Sequence, residues 1–398
     1  MGDRERALLN DCFDSGYVSS VGPFVERFEA AGAGLAGADH AAAVASGTAA
    51  LELGLRVSGV RPGDLVIMPS YTFIATANAT AHAGAEPWLF DIDPQTWNLD
   101  ARAVAERLLS TTTRDPDGTV RHTPTQRRVG AIIAVQVLGN TAGLGELRRL
   151  ADAWGLPLIA DAAAAHGSRV PTGDFFAPIG SVAHFACFSF NGNKTVTAGG
   201  GGIIAGNDGA AIARVKHLST QARTGSAYDH DEIGSNHRLT ALQAAVGVAQ
   251  LERLPELIGA KRRIRDRYDA ALAGAEGVAA FPAMADPEAG PWLSGLVLGP
   301  DHPPAEAFCE RLNERGIGAR PFWKPLHLQR PYQHALRADL AHSEALWDRV
   351  VTLPCSTHLT ERQQETVIDA AGELLEATRS TLAVSAPPRG SPAAPSRS

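Results

Sequence analysis

Short apolar runs alternate with helical stretches along the chain from about residue 40 to about residue 205. The apolar runs are HAAAVAS, DLVIMPS, EPWLFDI, GAIIAVQ, LPLIADA, HFACFSF and GGIIAG. Between them, stretches such as TAALELGLRV and GELRRLADAW space their apolar residues as amphipathic helices do. Because strands that alternate with helices build a largely parallel sheet, the pattern predicts an α/β fold.

The rest of the chain predicts a second, smaller unit. A length of 398 residues exceeds one ordinary domain and favours two. From Leu239 a long helical run, LTALQAAVGVAQLERL, leads away from the sheet region, and a proline-rich segment follows later. We therefore expect a large α/β domain over residues 1–255, with helices in 1–36, and a small C-terminal domain over 256–383.

Two segments are predicted to lie outside the packed elements. The stretch STTTRDPDGTVRHTPTQRR is polar, and it interrupts the alternation as a surface insertion or a hairpin would. Residues 384–398 are rich in proline, serine and alanine. Because such a composition cannot bury a core, this end of the chain is expected to be disordered.

Composition and charge exclude several classes of protein. The formal net charge is -7 and the isoelectric point is near 6.0, which argues against nucleic acid as the main partner. The first ten residues are charged, and no uninterrupted apolar stretch has the length of a membrane span. A cytoplasmic protein without a metal site is expected. The cysteines are far apart and form neither a zinc pattern nor a disulfide framework: Cys12, Cys187, Cys309 and Cys355.

Lysine is rare in this chain, which makes Lys194 unusual. Only four lysines stand against thirty-two arginines, and Lys194 lies in the otherwise uncharged segment FSFNGNKTVTAGGGG. A lysine is most often a surface charge, but arginine has that role here almost throughout. A phosphate loop of the G-x-x-x-x-G-K-[ST] type would need glycine where Asn193 stands. The remaining interpretation is an amine that a pocket keeps neutral and nucleophilic toward a carbonyl.

Residues that directly follow the apolar runs are candidate site residues, because open α/β sheets bind ligands beyond the carboxyl ends of their strands. After HAAAVA, Gly47, Thr48 and Ala49 open a helix whose free amides suit an anion, although an ordinary helix cap is the alternative. After DLVIMP, Phe73 could stack on a planar ring or belong to the core. After LPLIA, the carboxylate of Asp161 needs a cationic partner if it is buried.

A further pair of candidates, Ser189 and Lys194, follows HFACF. Together the candidates match pyridoxal 5'-phosphate. They offer an anion site, a stacking ring, a carboxylate that needs a cation and an amine that needs a carbonyl. At these residues the chain resembles the DegT-type sugar-nucleotide aminotransferases. Four longer segments share this resemblance, namely SGYVSSVGPFVERFE, DEIGSNHRLTALQAAVGVAQLERL, ARPFWKPLH and LPCSTHLTERQ. The resemblance implies fold type I of the pyridoxal phosphate enzymes, with a mostly parallel seven-stranded sheet between helices and a smaller C-terminal α+β domain.

The resemblance also implies a role for each candidate. Lys194 would bind the aldehyde of the cofactor covalently and later carry a proton, while Asp161 would keep the ring nitrogen protonated. Phe73 would stack on one face of the ring. A site completed by a neighbouring subunit would require a two-fold homodimer. The residues implied to hold the phosphate are Gly47, Thr48, Ala49 and Ser189, together with Asn236 of the partner subunit.

Several residues have simpler alternatives. Without the resemblance, Asn236 and Arg238 would be a loop residue and a surface charge. His230 stands among acidic residues in YDHDEIG, but these are adjacent rather than spaced as in a tetrahedral metal site, so a solvated loop is predicted. His327, in KPLH, could contact substrate or be a satisfied polar residue at a turn.

Ala164 departs from the pattern of the family that the chain resembles. That family usually carries glutamine, or sometimes glutamate, three residues after the aspartate and near the ring oxygen of the cofactor, whereas here the segment is DAAAAHG. The loss removes a hydrogen bond that helps to set the tilt of the ring. Cofactor binding should survive through the phosphate, the ring and Lys194, whereas turnover, donor choice or reaction type could change.

The resemblance predicts an aminotransferase that moves an amino group from L-glutamate to a keto sugar nucleotide, in polysaccharide or secondary-metabolite amino sugar biosynthesis. The segment GYVSSVG and the polar insertion resemble, more narrowly, the branch that acts on 4-keto-6-deoxy sugars. An aminocyclitol precursor or another cyclic ketone is an alternative acceptor, and a cofactor-binding protein without turnover is an alternative class. Dehydratases of the same fold replace the lysine by histidine, so Lys194 argues against that chemistry.

Overall fold

The computed structural model describes residues 1–226 and 228–385 of the chain. The α-helices in these ranges are α1 (Asp3–Asp14), α2 (Pro23–Ala36), α3 (Gly47–Val57), α4 (Ala75–His82), α5 (Ala101–Thr111), α6 (Leu144–Trp154), α7 (Ile179–Val182), α8 (Gly209–Ser219), α9 (Ala241–Glu252), α10 (Leu254–Leu272), α11 (Ala305–Glu314), α12 (Ala341–Leu346) and α13 (Glu361–Ser385). Short 3-10 helices lie at Val137–Gly139, Leu326–Leu328 and Arg330–Tyr332.

The β-strands alternate with these helices in the first half of the chain and are short. They are β1 (His40–Val44), β2 (Leu65–Pro69), β3 (Glu86–Phe90), β4 (Thr112–Arg114), β5 (Val120–His122), β6 (Arg127–Val135), β7 (Leu158–Asp161), β8 (Arg169–Thr172), β9 (Phe175–Pro178), β10 (Phe185–Ser189), β11 (Gly202–Gly206), β12 (Arg223–Thr224), β13 (Asp229–His230), β14 (Val278–Ala280), β15 (Ser294–Leu298), β16 (Arg320–Pro321), β17 (Leu336–Arg337) and β18 (Val350–Leu353).

A large sheet organises the first half of the chain. Its strand order is β1-β11-β10-β7-β6-β2-β3-β17, and the hairpin β4–β5 extends it beside β6. From β10 to β17 each pair of neighbours is parallel, whereas β11 is antiparallel to both β1 and β10. The sheet is therefore mostly parallel, and its parallel strands end at one common edge.

Both faces of the large sheet are covered by helices. In β2, Leu65 and Ile67 pack into the core on one face, while Val66 and Met68 pack into the core on the other. Helices α2, α6 and α9 contribute to the first core, and α3, α4 and α8 contribute to the second. Burial on both faces explains why these strands appear in the sequence as continuous apolar runs rather than as alternating patterns.

A second sheet has four antiparallel strands, in the order β14-β15-β18-β16. Helices α10, α11 and α13 pack against it around a separate core that includes Tyr268, Phe308 and Leu374. Between β16 and β18 the chain returns to the large sheet, where Leu336 of β17 pairs with Trp88 of β3. The C-terminal third of the chain thus contacts the edge of the large sheet as well as forming its own.

The predicted fold class is confirmed, but in the described ranges the large sheet has ten strands rather than seven, because β17 and the hairpin β4–β5 also join it. Every predicted apolar run forms a strand of the large sheet, namely β1, β2, β3, β6, β7, β10 and β11, and the polar insertion contains the hairpin β4–β5. The division near residue 255 falls at the start of α10 and stays a prediction. Of the predicted tail, 384–398, the first two residues belong to α13 rather than to a disordered end, and the rest lies outside the described residues. Within the described ranges, none of the helices combines the length and the apolar character that crossing a bilayer requires.

Candidate active site

A cavity of about 1420 Å³ opens at the edge where the parallel strands end. On one side it is lined by Gln136, Asp161 and Ser189, which end or directly follow β6, β7 and β10. Residues from β16, β18 and the loop before β15 form the opposite side. The cavity therefore lies where parallel α/β sheets bind their ligands, and both sheets contribute to it.

Helix α3 begins at this cavity and offers free backbone amides. Ser46 caps the helix, because its Oγ accepts a hydrogen bond of 3.1 Å from the N–H of Ala49. The N–H groups of Gly47 and Thr48, in the first turn, have no carbonyl one turn earlier to bond, and both residues line the cavity. Gly47 packs so tightly that a Cβ there would lie 2.8 Å from the Cβ of Ser189. A phosphate fits this helix end, which carries a positive partial charge.

Asp161, the last residue of β7, is a buried carboxylate. Thr76 Oγ1 donates a hydrogen bond of 2.8 Å to its Oδ2, and the N–H of Ala163 donates one of 3.2 Å to its Oδ1. Burial raises the pKa of Asp161, against the opposing effects of the Thr76 hydrogen bond and the charge of Lys194. The carboxylate forms no ion pair with any residue that the structure describes. A protonated ring nitrogen would supply the cation that such a group needs.

Lys194 lies in the turn that follows β10, with its amine against an aromatic ring. Its Nζ is 3.8 Å from the centre of the Trp292 indole. Trp292 Nε1 donates a hydrogen bond of 2.8 Å to the carbonyl of Asn193, which fixes the ring beside the lysine. Burial lowers the pKa of Lys194 to about 8, although the charge of Asp161 opposes this shift. A substantial fraction of the amine is therefore neutral near pH 7.5 and able to attack a carbonyl.

Phe73 presents a ring to the cavity. It is 55 % exposed, lines the cavity, and has its ring centre 6.3 Å from that of Trp323. The indole of Trp323 in turn stacks on Phe322, with 4.2 Å between the ring centres. Aromatic faces are thus available at the mouth of the cavity for a planar ligand.

Together these groups fit pyridoxal phosphate. The helix end formed by Gly47 and Thr48 suits the phosphate, the carboxylate of Asp161 suits the ring nitrogen, and the amine of Lys194 suits the aldehyde. The cavity therefore brings Gly47, Thr48, Phe73, Asp161, Ser189 and Lys194 together, as the sequence predicted for one site.

Two other residues predicted to contact the phosphate, Ala49 and Asn236, do not offer a free group to the cavity of their own chain in the described residues. The N–H of Ala49 is already used by the cap residue Ser46. Asn236 is exposed, on a loop that is tied to the end of β1 by a hydrogen bond of 2.8 Å from the N–H of Ala45 to the carbonyl of His237. It does not line the cavity of its own chain, so a contact to a ligand would require a neighbouring subunit. Both assignments stay predictions.

His327 is buried and does not line the cavity. Its Nδ1 lies 2.7 Å from the hydroxyl of Ser70, and its Nε2 lies 3.2 Å from the carboxylate of Glu344. Of the two alternatives for this residue, the geometry favours a polar group at a turn, with a hydrogen-bond partner at Nδ1 but none at Nε2 among the described residues.

Several residues of the cavity were not predicted from the sequence. Trp292 contacts the lysine, Arg320 brings a guanidinium, and Gln136 adds an amide to the wall. Arg320 lines the cavity, is exposed, and makes no ion pair with any residue in the described ranges. The segment ARPFWKPLH was noticed as a whole, but nothing in its pattern showed which side chain faces a site more than 120 residues earlier in the chain.

One cluster of acidic residues and histidine forms on the surface. The side chains of His217, Asp231 and Glu232 bring their ligand atoms within 4.8 Å of one another, and His217 Nε2 lies 2.7 Å from Asp231 Oδ1. The segment around His230 is exposed, as predicted, but Asp229 and His230 form strand β13 rather than a loop. A further ion pair from Arg214 to Glu232, at 2.9 Å, already neutralises part of the acidic charge.

Known proteins resemble this chain over nearly its whole length. The model of the DegT/DnrJ/EryC1/StrS aminotransferase family matches residues 1–371. EpsN from Bacillus subtilis (strain 168), named as a pyridoxal phosphate-dependent aminotransferase, is 39 % identical over 374 residues, which cover 93 % of this chain and 92 % of EpsN. GDP-perosamine synthase from Caulobacter vibrioides is 35 % identical over 374 residues, covering 93 % and 95 % of the two chains.

A solved structure agrees in fold as well as in sequence. The crystal structure of DesI, determined in the presence of its TDP-sugar product, superimposes with a TM-score of 0.81 at 30 % identity, covering 96 % of this chain and 92 % of DesI. The relatives are thus matched from end to end, so the cavity described above and both sheets belong to the shared part of the fold.

Proposed function

Because the chain belongs to the DegT/DnrJ/EryC1/StrS aminotransferase family, whose members use pyridoxal phosphate, we propose that it moves an amino group from L-glutamate to a nucleotide-linked keto sugar. The acceptor proposed is a 4-keto-6-deoxyhexose, as an intermediate in amino sugar biosynthesis. Two relatives support a sugar nucleotide by their names, one as a GDP-perosamine synthase and one as a protein crystallised with a TDP-sugar product.

The observation that carries the proposal is the amine of Lys194. It lies in the same cavity as the carboxylate of Asp161 and the N-terminus of α3, and burial lowers its pKa to about 8. A group with this pKa takes up and releases protons near neutral pH, which is what moving a hydrogen between two carbon atoms requires. Trp292 covers the amine on one side and limits the access of water to it.

The residues proposed to hold the cofactor follow from these contacts. Phe73 would stack on the ring, Asp161 would pair with its nitrogen, and Lys194 would bond its aldehyde. When bound, the cofactor supplies an electron sink that makes the hydrogen on the amino-bearing carbon acidic. The phosphate would lie against Gly47, Thr48, Ala49 and Ser189, with Asn236 of the partner subunit.

Arg320 supports an acidic amino donor. Its guanidinium lines the cavity and has no ion pair among the described residues, so a carboxylate of L-glutamate would give it a partner. A guanidinium binds a carboxylate through two parallel hydrogen bonds, which orients the donor as well as holding it.

The size of the cavity and its aromatic wall support a large acceptor. A volume of about 1420 Å³ exceeds the range of roughly 300–1,000 Å³ that suffices for most small ligands. The stacked rings of Phe322 and Trp323 offer a flat apolar surface beside Arg320. A sugar nucleotide has a planar base, apolar sugar faces and a diphosphate, which match these two kinds of contact.

The enzyme is proposed to act as a cytoplasmic homodimer with two shared sites. The exposed position of Asn236, outside the cavity of its own chain, supports the assignment of this residue to the site of the partner. In a two-fold dimer each subunit would supply its Asn236 to the site of the other, so a monomer would lack part of its phosphate site.

The test combines covalent labelling with product analysis. Purified protein is incubated with pyridoxal phosphate, reduced with borohydride and digested, and the labelled peptide is identified by mass spectrometry. A second incubation adds L-glutamate and a panel of acceptors, including GDP- and dTDP-linked 4-keto sugars and a cyclic ketone without a nucleotide. We expect the label on Lys194 and an aminated sugar nucleotide.

A label on Lys216, Lys261 or Lys324 would contradict the site, and amination of the cyclic ketone alone would contradict the acceptor. Spectra of the bound cofactor before and after L-glutamate separate an enzyme from a binding protein, because a protein without turnover would show no change on addition of the donor.

A further inference from the structure

Gln136 is a buried amide in the wall of the cavity. It directly follows β6, is 2 % exposed, and lines the cavity with Asp161 and Ala164. Its backbone is held on both sides, because its N–H donates to the carbonyl of Asp161 at 3.0 Å and its carbonyl accepts from the N–H of Gly139 at 3.0 Å. The backbone of Gln136 is therefore fixed beside the end of β7.

The amide of Gln136 is only partly satisfied by the protein. Its Nε2 donates a hydrogen bond of 3.1 Å to the carbonyl of Ala134, whereas its Oε1 is buried without a partner among the described residues. The Ala134 carbonyl accepts and cannot donate, so it fixes which end of the amide faces it. One N–H of Nε2 and the lone pairs of Oε1 remain unused. An amide left in this state destabilises the fold, which an apolar residue of similar shape would avoid.

The strand order places Gln136 on a defined side of the proposed cofactor. In the sheet, the ends of β10, β7 and β6 lie side by side, with Cys187 paired to Asp161 and Asp161 paired to Val135. Ser189, at the end of β10, and the start of α3 form the phosphate side. Gln136 lies on the opposite side of Asp161, at the end of β6.

The chemistry of the cofactor matches this order. An axis through the pyridoxal ring runs from its nitrogen to its aldehyde carbon, and the phosphate arm and the ring oxygen lie on opposite sides of that axis. With the nitrogen at Asp161, the aldehyde at Lys194 and the phosphate at α3, the ring oxygen must point toward the β6 side. Gln136 brings an amide to that side of the wall, where its neighbours Ala163 and Ala164 carry only methyl groups and the hydroxyl of Thr76 is already donated to Asp161.

We propose that the side-chain amide of Gln136 donates a hydrogen bond to the ring oxygen of bound pyridoxal phosphate. The inference rests on the proposed function, because it requires the cofactor in this cavity. The hydrogen bond stabilises negative charge on the ring oxygen and so lowers the affinity of the adjacent Lys194 nitrogen for a proton. Gln136 thereby sets both the orientation of the ring and the pH at which the cofactor bonded to Lys194 loses its proton.

The experiment compares the holoenzyme with Gln136→Met, which keeps the length and volume of the side chain but removes its donors. Two readouts are the dissociation constant of pyridoxal phosphate and the pH at which the visible absorption band of the bound cofactor titrates. We expect cofactor binding to weaken about tenfold, as for the loss of one good hydrogen bond. The titration should move upward by roughly one pH unit.

Two further variants sharpen the result. Gln136→Glu brings a carboxylate toward the ring oxygen, so it should move the titration upward at least as far as Gln136→Met. Gln136→Met combined with Ala164→Gln supplies an amide from the neighbouring position of the same wall and should bring the titration back toward that of the unmodified protein. Gln333→Met, at an exposed glutamine outside the cavity, is the matched control and should change neither readout.

The outcomes distinguish this inference from the proposed function. If Gln136→Met folds, labels at Lys194 and keeps both the dissociation constant and the titration of the unmodified protein, the role of Gln136 is wrong while the function stands. If the unmodified protein fails to label at Lys194, the function itself is wrong. Circular dichroism and thermal unfolding establish that each variant is folded before it is compared.

Discussion

Two lysines contact Trp292 from different directions, and their surroundings are opposite in kind. Lys261, on α10, is 5 % exposed and donates to two carbonyls, at 2.8 Å to Trp292 and at 2.7 Å to Cys355. Lys194 instead lies 3.8 Å from the centre of the Trp292 ring and has no carbonyl acceptor for its Nζ among the described residues. One amine is fixed by the protein, and the other is left available.

The comparison teaches that burial alone does not make a lysine reactive. The amine of Lys261 donates to two carbonyls, so its N–H groups are held by the protein. Lys194 has an aromatic face beside its amine, which stabilises a positive charge less than carbonyl acceptors would. Desolvation can therefore lower the pKa of Lys194, and it does so. A lysine that supports the fold differs from one that is available for reaction in the hydrogen-bond acceptors around its amine. Substitutions at the two positions test this difference.

The largest effect is expected for Lys194→Ala. Without the amine there is no group to bond the aldehyde or to move the proton, so transamination should fall at least about 10⁴-fold. The cofactor should still bind, because the phosphate and ring contacts do not involve the lysine. Product formation is followed by mass spectrometry, and bound cofactor is measured by phosphate analysis after gel filtration.

Lys261→Met is the matched control for the lysine comparison. It should keep the borohydride label on Lys194 but lose about 1–3 kcal/mol of unfolding free energy, because two buried carbonyls lose their donor. Normal turnover by Lys194→Ala, or loss of the label in a folded Lys261→Met, would contradict the assignment of the two lysines.

Asp161→Asn should have the next largest effect. The amide could still hydrogen-bond the ring nitrogen but would not stabilise a proton on it, so the barrier should rise by about 4 kcal/mol, or on the order of 10³-fold in rate. Cofactor occupancy should change far less. Single-turnover rates with L-glutamate, measured at saturating cofactor, separate these two effects.

Asp91 provides the control carboxylate. It is also buried, but it accepts hydrogen bonds from the N–H groups of His342 and Ser343 and from the Ser343 hydroxyl. Asp91→Asn should therefore reduce stability rather than the rate of the half-reaction. Equal activity of Asp161→Asn and the unmodified protein would remove Asp161 from the chemistry.

The effect of pH on the rate at which Lys194 bonds the cofactor should be smaller than these two mutational effects, but it reports directly on the pKa of Lys194. Only the neutral amine attacks the aldehyde, and the pKa of Lys194 is lowered from 10.5 to about 8. The rate at which the apoprotein becomes reducible by borohydride should fall about tenfold per pH unit below pH 8 and level off above it. An ordinary lysine would still gain rate above pH 9, and that result would contradict the lowered pKa.

The smallest effect is expected for Ala164→Gln. Ala164 is buried in the wall of the cavity, and an amide there would add a second polar group near the proposed ring oxygen. Transamination should stay the same or improve by a few-fold at most, since a single hydrogen bond is worth about 1 kcal/mol. The glutamate half-reaction and the sugar product are measured side by side with those of the unmodified protein.

A different outcome for Ala164→Gln would change the interpretation of this position. A variant that accepts L-glutamate but makes no product would show that the alanine gives room to the acceptor, because a larger polar side chain would then meet both a steric and a desolvation cost.

The large sheet and its site residues could be predicted because their signals are local. Each parallel strand is buried on both faces and is therefore a continuous apolar run, and the residue after such a run lies at the ligand edge of the sheet. That argument identifies Asp161 and Ser189 from a few neighbouring letters. The same argument applies to Gln136, which follows GAIIAV, but an amide is uncharged and does not by itself indicate a particular ligand.

The opposite wall of the cavity could not be predicted, because its contacts are distant in sequence. Trp292 is about one hundred residues from Lys194, and nothing near either residue indicates that they touch. Strand β17 has two residues, too few for any periodic pattern, and it joins the large sheet only because the chain returns there. The lack of an ion pair for Arg320 among the described residues likewise becomes visible only when its possible partners have been located.

The position of Trp292 has a consequence for the synthesis of the protein on the ribosome. Strands β7, β10 and β11, which flank Lys194, can pair once residue 206 has left the exit tunnel, but the indole that covers the amine emerges some ninety residues later. At roughly 5–20 residues per second, the nascent chain spends several seconds with Lys194 uncovered. During that interval the amine is more hydrated and its pKa is closer to that of an ordinary lysine, so the reactive form of the lysine should arise only late in translation.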